Sequence, residues 1–295
     1  MMMRPAYALV TAARNEEQYI RNTLQSVVEQ TLPPKVWVIV SDGSTDRTDD
    51  IVREYIAGSG FIRLVRIDNR AERDFSSKVF ALHAGYNDVT DLAVDYVGFI
   101  DADVALPRNY YEQLLARFAA HPRLGLAGGA IVEERNGSWE LRFADSLKDV
   151  GGQMPLFRRR CYDDIGGFLP LPWGGEDAAA NVSVRRAGWD VRVFTELQVR
   201  HYRPTGTAGM SVYGARLRDG KEDYFLGYHP LFEIGKAVHR ILEPPYVSGC
   251  ILRLCGYFWP WLKGETPMVD EDFVRHVRGQ QMRRLFAMTS GRSAM

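Results

Sequence analysis

The chain has 295 residues, of which 46% are hydrophobic and 25% are charged, a composition that suits one large α/β domain, alone or with an appendage, and excludes a disordered chain. The formal net charge is zero, so the overall charge gives no reason to expect nucleic acid as a partner. Three cysteines without C-x-x-C spacing argue against a disulfide framework and a zinc knuckle and fit a reducing compartment. No signal-peptide pattern precedes the first apolar run, so we expect a cytoplasmic protein.

Apolar runs alternate with helical patterns along the first half of the chain, and Asn15 is the predicted N-cap of the first helix. Strands and helices in this order imply right-handed crossovers and a mostly parallel sheet covered on both faces. Ligands on such sheets bind at the carboxyl ends of the strands. The predicted strands are 6–11, 35–40, 61–67, 96–100 and 124–132, the last broken at Gly128-Gly129. The predicted helices cover 15–28, the region around 51–56, 76–86 and 107–120.

The middle third is less regular. A helix is predicted over 176–187, because acidic residues occupy its first turn and Gly188 follows its last. The other predicted elements are strands at 139–143, 154–159, 191–194 and 197–202 and a helical turn at 160–165.

Two carboxylates, Asp101 and Asp103, follow the apolar run Tyr96–Ile100. Because side chains alternate along a strand, both would project to the same side and address one ligand. Carboxylates this close repel each other, and a hard divalent cation with positions open for phosphate oxygens offsets that repulsion. The alternative is that the two acids end a strand and cap the helix that follows Pro107.

Four motifs follow one another along the chain: Val10-Thr-Ala-Ala-Arg-Asn-Glu16, Val40-Ser-Asp-Gly-Ser-Thr-Asp46, Asp101-Ala-Asp103 and Gly174-Gly-Glu-Asp177. Together they resemble the family 2 inverting glycosyltransferases with the GT-A fold, over roughly residues 5 to 205. The resemblance implies an α/β, Rossmann-like sheet sandwiched by helices. It also implies transfer of a sugar from a nucleotide diphosphate donor to an acceptor hydroxyl, with inversion at the anomeric carbon.

The resemblance implies which residues bind the donor. Asp42 follows a strand, where its carboxylate reaches a ligand at the sheet edge; an Asx turn or a helix cap is its alternative role. Arg14 and Glu16 lie at the first strand-to-helix junction, and their alternatives are a solvated side chain and a first-turn acid. Lys78 matches a basic residue that faces the donor in many relatives, with a surface lysine as the alternative. The full donor set is Thr11, Ala13, Arg14, Glu16, Asp42, Lys78, Asp101 and Ala102.

For the metal, the resemblance implies Asp103 and His201 as ligands of Mn²⁺ or Mg²⁺; a purely structural histidine is the alternative. The cation would neutralise charge that develops on the departing pyrophosphate. Inversion needs a carboxylate on the acceptor side of the sugar, and Asp177 matches the family's general base. Glu176 and Trp173 are assigned to the acceptor. In the alternative, the two acids only stabilise their helix and Trp173 lies in the core.

One departure concerns His83-Ala84-Gly85, which stands where relatives often have Asn-x-Gly, so the sugar itself stays open. We favour a UDP sugar as donor, with GDP and dTDP sugars as alternatives. The favoured acceptor is a carbohydrate or lipid-linked saccharide in cell-surface polysaccharide or glycolipid assembly. Two other functions are weighed: a polyprenyl-phosphate glycosyltransferase that uses Arg158, Arg159 and Arg160 at its acceptor mouth, and a non-catalytic scaffold that binds nucleotide sugars.

The predicted organisation is a GT-A catalytic domain over 1–204, a flexible loop over 205–228 and a C-terminal helical extension over 229–295. Within the catalytic domain, the nucleotide-sugar half is 1–104 and the acceptor half 105–204. In the extension, helices at 230–242 and 272–288 flank an apolar run, 246–262, that is shorter than the roughly 20 residues needed to span a bilayer. This run has to be buried in protein, in an oligomer or in a membrane interface. Its terminal aromatic cluster favours peripheral contact with the inner face of the plasma membrane.

Overall fold

Nine strands join one sheet in the computed structural model, which describes residues 5–67, 74–135, 137–141, 147–203 and 211–289. The strands are β1 (Tyr7–Ala13), β2 (Val36–Asp42), β3 (Ile62–Ile67), β4 (Tyr96–Phe99), β5 (Val104–Ala105), β6 (Leu124–Arg135), β7 (Ser138–Leu141), β8 (Leu156–Arg158) and β9 (Asp190–His201). Their order across the sheet is β3-β2-β1-β4-β8-β6-β9-β5, with β7 paired to β6.

Ten helices accompany the sheet within the described ranges. They are α1 (Ile20–Val28), α2 (Thr48–Ile56), α3 (Ser76–Asn87), α4 (Tyr110–Ala120), α5 (Arg159–Asp164), α6 (Glu176–Arg186), α7 (Val212–Phe225), α8 (Pro230–His239), α9 (Val247–Leu262) and α10 (Glu271–Thr289).

The sheet has a parallel half and a mixed half. β1 pairs in parallel with β2 and β4, and β2 pairs in parallel with β3. The carboxyl ends of these strands therefore meet at one edge, as the alternation of strands and helices predicts. Beyond β4, the short strand β8 lies antiparallel to both β4 and β6. Across the described strands, four pairs are parallel and four antiparallel. The predicted α/β class is confirmed: the three longest pairings, β6 with β9, β1 with β2 and β2 with β3, are parallel, and short antiparallel pairings make the sheet mixed.

Helices cover both faces of the sheet, because successive strand side chains point to opposite faces and both sets are apolar. Leu9 and Trp37 pack with α1, α2 and α4 on one face, whereas Val10 packs with α3, α5 and α6 on the other. Helix α3 lies so close that a Cβ at Gly85 would come within 2.5 Å of Val10 Cγ1 and 2.9 Å of Val40 Cγ2. Glycine is therefore required at that point of contact.

Strands β6 and β9 form the longest parallel pair, and both differ from expectation. β6 continues through Gly128 and Gly129, where a break was predicted, and β9 joins the two predicted strands at 191–194 and 197–202. Their pairing slips between Gly129 and Ala130, which oppose Phe194 and Gln198. A Cβ at Gly129 would lie 2.0 Å from the carbonyl oxygen of Leu197. The glycine therefore admits the bulged backbone of β9 instead of ending the strand.

The first helix begins later than the sequence predicts. Helix α1 starts at Ile20, and Asn15 lies outside it with φ +55°. The Asn15 side-chain oxygen instead accepts a hydrogen bond from the backbone N–H of Thr45 at 2.9 Å. The Asn15 backbone N–H donates to Ser44 Oγ at 3.2 Å. The predicted N-cap is wrong, because Asn15 ties the loop after β1 to the loop after β2.

The chain divides into two compact units: the first contains residues up to Pro170 and Glu176–Pro204, the second contains Leu171–Gly175 and the chain from Thr205 on. Helix α7 of the second unit replaces most of the predicted loop, and Ser211 caps it by accepting the Gly214 N–H at 3.1 Å. A Cβ at Gly220 or Gly256 would lie 2.0 Å from a carbonyl oxygen of the opposite helix, α9 or α7. Gly220, which lies in the predicted flexible loop, is thus a point where two helices touch, as is Gly256 on α9.

The second unit is held together by a buried ionic network. The Arg253 guanidinium, 4% exposed, donates to Glu233 Oε1 at 2.7 Å and to Asp223. The Lys236 ammonium lies 3.1 Å from Asp223 Oδ2. Burial, reinforced by the neighbouring Asp223, raises the pKa of Glu233 to about 9.

No helix in the described part of the chain combines the length and apolar character needed to cross a bilayer.

Candidate active site

The pairing of β5 with β9 brings two distant motifs together at the edge of the sheet. Val104 pairs with His201, and the Tyr202 N–H donates to the Asp103 carbonyl at 3.0 Å. β4 ends at Phe99, so Asp103 lies on a turn and not on the strand. Asp101 and Asp103 consequently have different partners, and the expectation that both acids project from one side of a strand is wrong.

Asp103 and His201 form a close, largely buried pair. His201 Nε2 lies 3.5 Å from Asp103 Oδ1, and His201 Nδ1 lies 3.3 Å from Glu133 Oε1. A carboxylate on the second ring nitrogen fixes the orientation of the imidazole, as it does for metal-binding histidines. Within the described ranges, no group of three or more His, Cys, Asp or Glu residues is arranged to hold a metal ion. The two candidate metal ligands, one carboxylate oxygen and one imidazole nitrogen, fit a cation that takes its other ligands from phosphate and water.

The charges around this pair oppose the cost of burial. Burial alone would raise the pKa of Asp103, but the hydrogen bond and charge of His201, with the nearby Arg203, lower it. Burial would likewise lower the pKa of His201, and its contacts with Asp103 and Glu133 raise it. The site therefore favours a charged Asp103 carboxylate.

A second cluster joins the aspartate motif, Asp101-Ala-Asp103, to the acidic pair Glu176-Asp177. Lys78 Nζ lies 2.6 Å from Asp101 Oδ1 and 3.9 Å from Glu176 Oε1. Burial, followed by repulsion from neighbouring carboxylates, raises the pKa of Asp101 and of Glu176 even though Lys78 opposes the shift. The Lys78 ammonium group thus interacts with both Asp101 and Glu176, two predicted site residues that are far apart in sequence.

Asp177 is held by backbone N–H groups at the start of α6. Its Oδ2 accepts from Gly152 N–H at 3.1 Å and its Oδ1 from Ala178 N–H at 2.7 Å. Each carboxylate oxygen has two lone pairs, so one on each oxygen stays available for a further donor. The segment that carries Gly152 also reaches the other motif, because the Asp101 N–H donates to the Gln153 carbonyl at 2.9 Å.

Asn181, which the sequence reasoning missed, clamps that segment to α6. Its Oδ1 accepts the Val150 N–H at 2.9 Å, and its Nδ2 donates to the carbonyl oxygens of Val150 at 2.8 Å and Asp177 at 2.7 Å. With 2% of its surface exposed, Asn181 satisfies three backbone groups that water cannot reach. We infer that it sets the position of Asp177 relative to Asp101.

The predicted nucleoside residues Arg14 and Asp42 are in contact. Arg14 Nη1 lies 3.3 Å from Asp42 Oδ2, whereas Asp42 Oδ1 is buried and has no hydrogen-bond partner among the described residues. A buried, unpaired acceptor is costly unless a ligand supplies a donor. Arg203, also missed by sequence reasoning, donates to Glu16, and its Nε lies 3.6 Å from Asp103 Oδ2. Burial raises the pKa of Glu16 to about 7 although Arg203 opposes the shift.

The remaining predicted residues are placed differently. Thr11 is 1% exposed, and its hydroxyl accepts the Trp37 indole N–H at 2.9 Å, so its side chain belongs to the core. Ala13 and Ala102 are buried in the same face of the sheet. Trp173 belongs to the second unit, where its ring stacks on Phe225 at 6.3 Å between centroids.

A mixed α/β sheet with the acidic motifs at the carboxyl ends of its strands is the GT-A arrangement, and solved structures share it. A mannosyltransferase from Pyrobaculum calidifontis, in complex with GDP-Man and Mn²⁺, matches with a TM-score of 0.56 and 17% identity, over 100% of this chain and 77% of that one. TarS of S. aureus, in complex with UDP-GlcNAc, matches with a TM-score of 0.55 and 15% identity, over 88% of this chain and 73% of that one. These likenesses establish the predicted GT-A fold.

The family follows from the sequence itself. The profile of glycosyl transferase family 2 matches residues 8–170, and the chain belongs to that family, as the four motifs predict. A 4,4'-diaponeurosporenoate glycosyltransferase of Staphylococcus aureus is 32% identical over 122 residues, which are 41% of this chain and 30% of that protein. EpsH of Bacillus subtilis is 31% identical over 114 residues, 39% of this chain and 30% of that protein. The aligned part thus spans under a third of the length of these relatives.

Proposed function

We propose that the protein is a metal-dependent, inverting glycosyltransferase that transfers a sugar from a nucleotide diphosphate sugar to an acceptor hydroxyl. The observation that carries this proposal is the convergence of Lys78, Asp101 and Glu176 within ion-pairing distance, beside the pair Asp103 and His201. Residues from four distant segments meet at one sheet edge, where ligands bind on folds of this type. Two structural neighbours bind nucleotide sugars, which supports the class of donor.

On the donor side, the unpaired Asp42 Oδ1 is the acceptor for an N–H of the base, and Arg14 holds the opposite oxygen of that carboxylate. Lys78 and Arg203 supply positive charge for the diphosphate. Each cation is paired to a carboxylate, Lys78 to Asp101 and Arg203 to Glu16. A bound diphosphate would share these cations with the carboxylates. We favour a UDP sugar, with GDP and dTDP sugars as alternatives.

Asp103 and His201 would hold Mn²⁺ or Mg²⁺, and Glu133 orients the histidine. The cation, when bound, stabilises the negative charge of the leaving diphosphate. The presence of Mn²⁺ in the Pyrobaculum mannosyltransferase complex supports a divalent metal of this kind.

Asp177 is the proposed general base. One lone pair on each of its oxygens accepts a backbone N–H, so the carboxylate is oriented and can still accept the proton of an acceptor hydroxyl. Glu176 binds the acceptor or the sugar hydroxyls, next to Lys78. The oxygen that loses its proton to Asp177 attacks the anomeric carbon from the face opposite the departing diphosphate, and the configuration inverts.

We propose a lipid-linked saccharide in glycan assembly as the acceptor and a peripheral position at the cytoplasmic side of the membrane. A polyprenyl-phosphate acceptor is less favoured. Arg158 donates to the Leu124 carbonyl at 3.2 Å and lies over the Tyr96 ring, and Arg159 donates to the Leu92 carbonyl at 2.6 Å. Both guanidinium groups already bind backbone carbonyls within the fold, which argues against their use in a basic acceptor mouth.

Thermal unfolding with a panel of nucleotide sugars tests the donor site. A ligand at one hundred times its Kd adds about 2.7 kcal/mol to the free energy of unfolding, so we expect the midpoint to rise with one nucleotide sugar and Mn²⁺. The Asp103→Asn variant should lose the metal-dependent part of the rise. Flat melting curves with UDP, GDP, dTDP and CMP sugars would overturn the proposal. Nucleotide-dependent stabilisation with no transfer or hydrolysis would favour the non-catalytic scaffold.

A further inference from the structure

Large exposed apolar side chains are concentrated in the second unit. Most of these side chains lie beyond residue 211, whereas few lie in the first unit. On α8 and just after its end they occur at three- and four-residue intervals, and on α9 at intervals of four, eight and three residues. We call these residues the apolar face: Leu231 (57% exposed), Ile234 (40%), Val238 (53%) and Leu242 (84%) from the first segment, and Val247 (56%), Ile251 (55%), Trp259 (55%) and Leu262 (70%) from the second.

The apolar face carries no charge along α9. Of the sixteen residues of that helix, Arg253 alone is charged, and it is buried against Asp223 and Glu233. The exposed positions of α9 offer the Ser248 hydroxyl, two indole N–H groups and the weakly hydrogen-bonding Cys255 thiol as polar groups. Interfaces between folded proteins carry about one hydrogen bond per 100–200 Å², so this face is poorly suited to a second protein surface.

Aromatic rings and cations border the apolar face. Trp259 and Trp261 end α9, and Lys263 Nζ lies 5.3 Å from the Trp259 ring centroid. On α10, Leu285 Cδ2 would lie 3.6 Å from a Cβ at Gly235 of α8, and the two residues before Leu285, Arg283 and Arg284, are exposed cations on other sides of the same helix. Aliphatic residues bordered by tryptophan and cations match the chemistry of a bilayer interface.

We propose that α8 and α9 dock on the surface of an anionic lipid bilayer through the apolar face. The sixteen residues of α9 give a length of about 24 Å at 1.5 Å per residue, and its buried arginine keeps one side of the helix against protein. The two helices therefore lie in the plane of the headgroups, with Arg283 and Arg284 against lipid phosphates. This inference rests on the peripheral membrane position proposed above and names the surface that mediates it. Its test measures binding to vesicles and not sugar transfer, so a failure of the two proposals can be told apart.

Flotation of the full chain with vesicles tests the proposal, using phosphatidylcholine alone and a 7:3 mixture with phosphatidylglycerol. The Ile251→Glu variant should bind at least about tenfold more weakly, because a charge replaces an exposed aliphatic side chain that the bilayer would bury. Phe80→Glu is the matched control, since Phe80 is an exposed apolar residue of the first unit (50% exposed). The double variant Arg283→Gln/Arg284→Gln should lose about thirtyfold of the preference for anionic vesicles. Circular dichroism confirms that each variant is folded.

Light scattering in the absence of lipid separates the bilayer from a second copy of the chain. A monomer that floats with anionic vesicles, and loses flotation through Ile251→Glu but not through Phe80→Glu, supports the proposal. Absence of flotation, or equal flotation of the two variants, overturns it. A dimer that Ile251→Glu dissociates, with no binding to vesicles, overturns it in favour of a protein interface.

Discussion

Replacing Asn181 by alanine should uncouple the proposed base from the aspartate motif. The side chain makes three hydrogen bonds to backbone groups, at 2.7–2.9 Å, from a site that is 2% exposed. Alanine leaves the N–H and carbonyl of Val150 without these partners. At about 1–3 kcal/mol for each buried group left unpaired, we expect a loss of about 4 kcal/mol in the free energy of unfolding.

The effect on activity should exceed what this loss of stability explains. The segment released from Asn181 supplies the N–H that holds Asp177 Oδ2 and the carbonyl that binds the Asp101 N–H. A displacement of about 1 Å in a reacting group costs roughly 10²-fold in rate. We therefore expect kcat to fall about one-hundredfold at a temperature where the variant is folded, while nucleotide affinity changes much less.

Val184→Ala is the matched control, because Val184 is a fully buried residue of the same helix that packs in the core beneath α6. Its truncation should cost about 2 kcal/mol through lost burial, with no effect on the clamped segment. The assays are denaturant unfolding, nucleotide binding by calorimetry, and initial rates with saturating donor. Equal kcat values for the two variants, each measured when fully folded, would refute the positioning role of Asn181.

Three further predictions address the metal site and the second unit. Glu133→Gln should weaken Mn²⁺ binding about 10–100-fold, because it weakens the partner that orients His201; electron paramagnetic resonance of free Mn²⁺ measures this. The raised pKa of Glu233, about 9, means that the folded state binds this proton more tightly. The stabilisation from this tighter proton binding is complete below the pKa that Glu233 has in the unfolded chain. Above that pKa the free energy of unfolding falls by at most about 1.4 kcal/mol per pH unit, and the stabilisation is lost as pH rises through about 9. Thermal midpoints should therefore fall from pH 6 to pH 9, and less steeply in Glu233→Gln. Gly220→Ala, whose Cβ would lie 2.0 Å from backbone of α9, should destabilise the protein by about 1–3 kcal/mol, whereas Gly279→Ala, with nothing within 4 Å, should stabilise it by roughly 0.5–1 kcal/mol.

Each of these predictions has a result that contradicts it. Unchanged Mn²⁺ affinity in Glu133→Gln would remove that residue from the metal site. A stability profile that is flat, or that rises, between pH 6 and pH 9 would show that Glu233 is ionised in the folded protein. If both glycine variants changed the free energy of unfolding by the same amount, the close crossing of α7 and α9 would be wrong.

Sequence reasoning is most informative about candidate residues that lie at the ends of local elements. Asp42 and Asp101 follow apolar strands directly, and Glu176 opens a helix with acids in its first turn, so local patterns are enough to predict them as candidates. The family resemblance adds His201, which no local pattern identifies. The structure then brings Lys78 between Asp101 and Glu176, a contact between segments that sequence spacing alone does not indicate.

The residues that the sequence did not reveal depend on long-range register. Glu133 follows the apolar part of β6 and faces His201 because those two residues are paired across β6 and β9. Arg203 reaches Glu16 across 187 positions of sequence. Asn181 looks like an ordinary polar residue of a helix until Val150 is placed against it. A polar residue within an otherwise buried pattern was the available signal for Glu133 and Asn181, although it does not name the partner.

The second unit shows why composition misleads. Glycine-rich sequence before Gly227 predicts a flexible loop, whereas Gly220 permits the backbone of α9 to approach α7. Arg253 reads as an interruption of an apolar run, but it turns inward to the acidic side chains of Asp223 and Glu233. In both cases tertiary packing overrides local preference.

The rate of nucleotide release from the nucleotide sugar that stabilises the protein, measured with Mn²⁺ for the wild type and for Asp177→Asn, tests the central claim most directly. The amide keeps the shape of the side chain but is a far weaker base, so we expect the rate to fall by about 10²–10⁴-fold while donor affinity is unchanged. Equal rates for the two proteins would contradict the assignment of Asp177 as the base, and with it the proposed mechanism.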